Sequence, residues 1–173
     1  VAVPETVEFP LEIIDQKMLP KMIASSDERA MDLYLILFGQ AQAAKQNHLE
    51  LDLETLASGL GLPRDWSRSQ IRRQIIKTLR KLAGRYGLIE SEFPYAKNAR
   101  IRLKEWGGEK IKIPGRLLEP EFLSKTEPGV VFLELAREIL KREGVDIETL
   151  SAPELEARFG IGKSTVVHAR AAR

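Results

Sequence analysis

Hydrophobic positions in this chain fall into two rhythms, and the elements can be ordered from them before anything is counted. Across residues 25–46, Ala30, Leu33, Tyr34, Leu37, Phe38 and Ala41 recur at three- and four-residue spacing, which predicts a long amphipathic helix. Ser25 followed by Glu28 has the form of a capping box that would start it. The stretch H-L-E-L-D at 48–52 alternates and predicts a short strand, after which Asp52 can cap a brief helix over 53–58. L-G-L-P at 60–63 stops that helix at Gly61 in a tight turn. A second capping box, Ser67 with Gln70, opens a helix in which Ile71, Ile75, Leu79 and Leu82 share one face and predict its core side. L-I-E-S-E-F at 88–93 and A-R-I-R-L-K at 99–104 alternate as two strands around a loop at 94–98, with Ile101 and Leu103 turned to the core.

The polar side of the same pattern carries the candidate chemistry. Opposite the apolar stripe of the second helix lie Ser69, Gln70, Arg73, Lys77 and Arg80. Alternation sends Arg100, Arg102 and Lys104 outward from the hairpin, with Lys97 at its tip. Through L-A-S-G-L-G-L, S-R-S-Q-I-R-R-Q and G-L-I-E-S-E-F, the chain resembles a winged helix-turn-helix domain over roughly residues 25–104. That family binds double-stranded DNA by laying its second helix in the major groove. The resemblance implies that Ser69, Gln70 and Arg73 approach base edges, Arg73 being able to read guanine through two parallel hydrogen bonds. It also implies that Lys77, Arg80, Lys97, Arg100 and Arg102 neutralise phosphates. Winged helices also serve as protein-docking modules, usually with a neutral recognition face.

Charge sharpens this picture. The formal net charge is only +2, yet residues 1–63 hold 4 basic and 10 acidic groups, residues 64–104 hold 12 and 3, and residues 105–173 hold 11 and 12. A block this basic beside an acidic one predicts a directional face for a polyanion, with the acidic segment turned away from DNA and available for dimerisation or other partner contacts. A solvated basic helix without a partner is the plain alternative. Trp66, just before the second helix, could stack on a sugar or base or pack against the turn.

The chain also echoes itself. I-K-I-P at 111–114 repeats V-E-F-P at 7–10, and a second apolar-periodic helix follows over 130–141 with Phe132, Leu133, Ala136, Ile139 and Leu140 as its buried side. L-E-A-R-F-G-I at 155–161 then repeats L-A-S-G-L-G-L at 56–62. The offsets are 104 and 99 residues, close enough for two diverged copies of one unit. The fold expected is mainly α with small β-wings (α+β), as two winged helix-turn-helix domains in tandem. Residues 1–106 form the first, and residues 107–173 form a second that lacks its wing at the C-terminal end.

That repeat decides how to read A-R-F-G-I-G-K-S-T at 157–165, which has the look of a phosphate-binding loop. Ala157 stands where the first glycine belongs, residues 155–159 read as helix rather than strand, and too few residues follow for a magnesium ligand. The repeat instead makes Gly160 to Gly162 the turn of a second helix-turn-helix, with Ser164 capping its last helix and Lys163, Thr165 and His168 on the outer, DNA-facing side.

Composition removes most enzyme chemistry. Cysteine is absent and His48 and His168 are the only histidines, so thiolate metal sites, Cys nucleophiles and dispersed Ser-His-Asp triads lack parts. His48, in an alternating strand, reads as structural. The longest apolar run, residues 33–38, is far short of the ~20 residues a membrane helix needs, so a cytoplasmic protein is expected. The expectation is a non-enzyme without catalytic residues, metal, cofactor or membrane contact. Its partners are double-stranded DNA and, in one reading, a second copy of itself. Tandem winged helices, each introduced by an extended segment ending in proline, resemble the replication initiators of plasmids and mobile elements; a transcriptional regulator is the alternative, and a docking scaffold a third.

Overall fold

The computed structural model describes residues 2–57, 59–95 and 97–172, with the backbone alone at Tyr95. It is an α+β chain with two small antiparallel sheets. Strand β1 (Thr6–Pro10) leads into helices α1 (Leu11–Asp15), α2 (Met18–Ala24) and α3 (Glu28–Ala44). Strand β2 (His48–Asp52), helix α4 (Leu53–Ala57) and helix α5 (Arg68–Gly84) follow, and then strands β3 (Ile89–Tyr95) and β4 (Asn98–Leu103). Strand β5 (Lys110–Pro114) begins the second half, with a 3-10 turn at Gly115–Leu118 and helices α6 (Pro120–Lys125) and α7 (Pro128–Arg142). After a second 3-10 turn at Ile147–Thr149 come helices α8 (Ala152–Phe159) and α9 (Lys163–Ala171).

Several local chemical signals held. Asp52 Oδ1 accepts the amides of Glu54 and Thr55 at 2.8 and 3.2 Å, starting α4. The Ser67–Gln70 capping box is closed in both directions at the start of α5. Ile101 and Leu103 are buried on β4. Ser58, the expected end of the first short helix, and Ala96, in the expected hairpin loop, lie outside the described residues. Among those described, the hairpin is tighter than expected, because β3 runs on to Tyr95, opposite Asn98.

The N-terminal third departs from the expectation. Ser25 and Glu28 form no capping box. Ser25 follows the end of α2, and α3 begins at Glu28 after Asp27. Two short helices precede it, which the apolar rhythm did not separate because each is only one or two turns long. The one-sided stripe expected for α3 is wrong as well: Ala30 to Gly39 are all buried, so the helix is enclosed on every side. Helix α3 is the central rod of the molecule, packed against α2, α5, α7 and the 3-10 turn at Gly115–Leu118.

The two echoed segments meet. Strand β1 pairs antiparallel with β5, placing Val7 opposite Ile113 and Phe9 opposite Ile111. Moving each residue to its counterpart in the echo exchanges these two pairs, so the register of the ribbon is symmetric between the echoed segments. The turns repeat too. Gly61 and Gly160 hold the same place in their echoes and both adopt left-handed backbone, with φ of 60° and 81°, a conformation that favours glycine. The halves share this ribbon and one contiguous buried cluster.

The ribbon imposes a close approach at its end. A Cβ on Gly115 would lie 1.8 Å from the carbonyl oxygen of Pro4, a backbone atom that cannot rotate away. Gly115→Ala is therefore expected to destabilise the fold by about 1 to 3 kcal/mol, the usual cost of forcing volume into a packed site. A thermal melt that leaves the midpoint unmoved would contradict that contact. None of the helices among the described residues is long and apolar enough to cross a membrane.

Candidate nucleic-acid interface

Helix α5 is built for two unlike neighbours. Ile75, Thr78, Leu79 and Leu82 are buried, with Ile71 half-buried at the N-terminal end, while Ser69, Gln70, Arg73, Lys77 and Arg80 are exposed together as the periodicity implied. Arg73 and Lys77 have no ion-pair partner among the described residues. Gln70 is less free than its exposure suggests, since its Oε1 accepts the Ser67 amide at 2.7 Å in the capping box. Its side-chain NH2 remains as donor. Arg80 lies over the ring of Phe93 on β3, 5.7 Å from its centroid, tying the helix to the hairpin.

Sequence reasoning passed over two exposed arginines at the start of α5. Arg64 lies in the turn before α5, and Arg68 is its first residue, 81% exposed and only loosely paired with Glu54 at 3.9 Å. The signal available was positional: Arg68 stands one turn before Arg72 and beside Ser69. Trp66 is half-buried, with the Arg29 guanidinium of α3 5.4 Å from its ring centroid.

At the far end of α5 the basic block is gathered by one carboxylate. Asp27 is buried and accepts from Lys81 Nζ at 2.8 Å, Arg85 Nη1 at 2.9 Å and Tyr86 Oη at 2.5 Å. The Lys81 hydrogen bond, then those of Tyr86 and Arg85, outweigh desolvation and hold its pKa down to about 2. Its contribution to stability is thus complete above the ordinary carboxylate range and disappears as pH falls from about 4 towards 2. Burial, then Asp27, raises the Tyr86 phenol. Asp27 immediately precedes α3, so the same contact locks the end of α5 onto the start of the central helix.

The outer face of the β2-β4-β3 sheet is not a simple cationic surface. Arg100 and Arg102 point outward on the central strand, as alternation required, but Arg100 stands between Glu50 and Glu92, and Arg102 between His48 and Glu90. Arg100 Nε lies 3.5 Å from Glu50 Oε2. Opposite charges facing each other across strands stabilise the sheet and cancel one another's field. Lys97, exposed at the hairpin's tip, has no ion-pair partner among the described residues.

The second half has the same outline with a different surface. Ser151 and Glu154 close a capping box on α8, the segment expected to be helical instead of the strand a phosphate loop needs. Helix α9 starts at Gly162, so Ser164 lies inside its first turn and is not the cap. The Lys163 amide donates to Glu156 Oε2 at 3.2 Å, and its ammonium is 3.9 Å from Glu156 Oε1. Thr165 was expected on the outer face; it is half-buried against Gly129 of α7. His168 is exposed but its Nε2 is 3.0 Å from Glu127 Oε2. Arg170 donates to the carbonyls of Ile147 and Leu150 at 3.2 and 2.7 Å. What α9 presents to solvent is Lys163, Ser164, His168 and Val167, the last 61% exposed.

Among the described residues no three His, Asp or Glu side chains are grouped to hold a metal ion. What the geometry brings together is a run of cations along α5 with Ser69 and Gln70 at its start and Lys97 on the adjoining hairpin. No protein-family model, curated protein or solved structure matches the chain.

Proposed function

We propose that this protein binds double-stranded DNA in a sequence-dependent manner, as two winged helix-turn-helix domains in tandem, residues 1–106 and 107–173. The observation that carries the reading is the outward face of α5, where Arg73 and Lys77 stand exposed without an ion-pair partner among the described residues beside Ser69. Like charges at Arg73 and Lys77, one helical turn apart, weaken an isolated helix, and a polyphosphate would turn that cost into attraction. Ser69, Arg73 and the free NH2 of Gln70 are the base-reading set, with Arg64 and Arg68 beside them. Lys77, Arg80 and Lys97 neutralise phosphates, and Arg100 and Arg102 contribute less because glutamates flank them. Lys163, Ser164 and His168 on α9 form a weaker second contact.

The biological role we favour is initiation of replication on a plasmid or mobile element, supported by the symmetric ribbon and the paired left-handed glycine turns that make the halves resemble two copies of one reader. A transcriptional regulator is the alternative. The protein acts by binding, without catalysis or cofactor, and could work as a homodimer.

Selection of bound fragments from random duplex DNA tests this. Direct repeats about two helical turns in length fit the initiator, a short palindrome fits the regulator, and absence of any enriched sequence would overturn sequence-dependent DNA binding. On the selected site Arg73→Ala is expected to lose about 1 to 3 kcal/mol and to relax preference at one base pair. Equal losses on selected and scrambled duplexes would remove Arg73 from the base-reading set.

A further inference from the structure

The cationic run does not stop where the base-reading residues do. Arg73, Lys77, Arg80, Lys81 and Arg85, with Ile76 between them, line one open groove along α5, and among the described residues no carboxylate lines it with them. The stretch from Lys77 to Arg85 rises about 12 Å, long enough for consecutive phosphates of one strand. Three successive pairs in the groove, Arg73 with Lys77, Lys77 with Lys81 and Lys81 with Arg85, are like charges one turn apart, each unfavourable in an isolated helix.

Two of these cations differ from the rest. Lys81 and Arg85 each give one hydrogen bond to the buried Asp27 carboxylate and keep side chains 38% and 56% exposed. An ammonium has three donors and a guanidinium five, so both retain donors for a ligand in the groove. A long side chain held at its base loses less freedom on meeting an anion than one free in solvent. One carboxylate shared by two cations also leaves a net positive charge at that spot.

We propose that this groove beyond Arg73 seats consecutive phosphates of one DNA strand through Lys77, Arg80, Lys81 and Arg85, and that Asp27 is a positioning residue that fixes two of these four cations. This rests on the DNA-binding reading above and adds Lys81, Arg85 and Asp27 to it. The alternative, that Asp27 only ties α5 to α3, gives the opposite sign in one experiment. Asp27→Asn makes the protein one unit more positive, so a purely structural Asp27 predicts tighter binding to any duplex, whereas a positioning Asp27 predicts weaker binding.

The measurement is fluorescence anisotropy on a labelled duplex of about 20 base pairs with random sequence, titrated between 50 and 200 mM NaCl, with thermal melts as folding controls. Each lost phosphate contact flattens the log-log salt slope by about 0.9. Arg85→Gln is expected to flatten it by about one, and Asp27→Asn to weaken binding about three- to tenfold and flatten the slope by a similar amount. Tighter binding by Asp27→Asn, or an unchanged slope in Arg85→Gln, would overturn the assignment. Should Asp27→Asn fail to fold, Asp27→Glu replaces it: it keeps the charge and displaces the carboxylate, so weaker binding is expected and unchanged affinity and slope would overturn the positioning role. Wild-type protein showing no salt-dependent binding would remove the DNA reading and this inference together.

Discussion

Replacing Asp32 by Asn is expected to stabilise the protein by about 3 kcal/mol near pH 8 and by almost nothing near pH 4. Asp32 sits on α3 and is only 8% exposed, and its Oδ1 has no hydrogen-bond partner among the described residues. Burial first, and the charge of Glu28 second, push its pKa up to about 7. The sign follows from where the proton goes. The folded protein holds it until about pH 7, whereas the unfolded chain gives it up near pH 4, so stability falls as pH rises between those values. Asparagine keeps the shape and removes the charge that must be buried. In a chain of this size each kcal/mol moves the melting midpoint by about 2 to 4 °C, so scanning calorimetry should find a gain of roughly 6 to 12 °C at pH 8. An equal gain at both pH values would mean that ionisation of Asp32 is not the cause.

Exchanging Arg73, Lys77 and Arg80 together for Gln is expected to lower affinity for duplex DNA about 100- to 1000-fold at 100 mM salt and to flatten the salt slope by about two, through Lys77 and Arg80. All three side chains are exposed, so the melting midpoint should move little. Removing the same charge elsewhere supplies the control. Lys112, Lys125 and Lys141 are also exposed; Lys112 stands opposite Glu8 across the ribbon, and the other two pair with Glu121 and Glu138 along their own helices. Their replacement by Gln should change affinity by less than about threefold, because those cations already face carboxylates. Equal losses from the two triple variants would make the effect one of net charge and take the α5 face out of the site.

The local part of this architecture could be read in advance. Two boxes, Ser67 with Gln70 and Ser151 with Glu154, close between residues three apart, and the Ser67 box was read directly from the chain. The same rule failed at Ser25 and Glu28, because a capping box also needs the chain to enter the helix at Ser25, and the chain is still leaving α2 there. Ser164 failed for a related reason: the turn at Gly162 already starts the helix, which carries the serine into its first turn. Helix α3 misled the apolar count because a rod enclosed on every side and a rod with one buried stripe both show hydrophobic residues at helical spacing.

The acidic and basic blocks mark the boundary between what is local and what is not. Along the chain they are separate, which suggested an acidic segment facing away from DNA. In the fold, Asp27, Glu50 and Glu54 of the acidic block reach Arg85 and Lys81, Arg100, and Arg68 of the basic one. Asp27 finds Lys81 and Arg85 across 54 and 58 residues. By itself the amino-acid order determined the outward face of α5, the turn at Gly61, the alternation of the hairpin and the echo between halves, since each is written within a few residues or in a repeated phrase. Only the tertiary structure decided which cations remain unopposed and that the echoed strands pair with each other. Coulombic partners and strand registers are chosen by distance in space, and no periodicity along a chain records it.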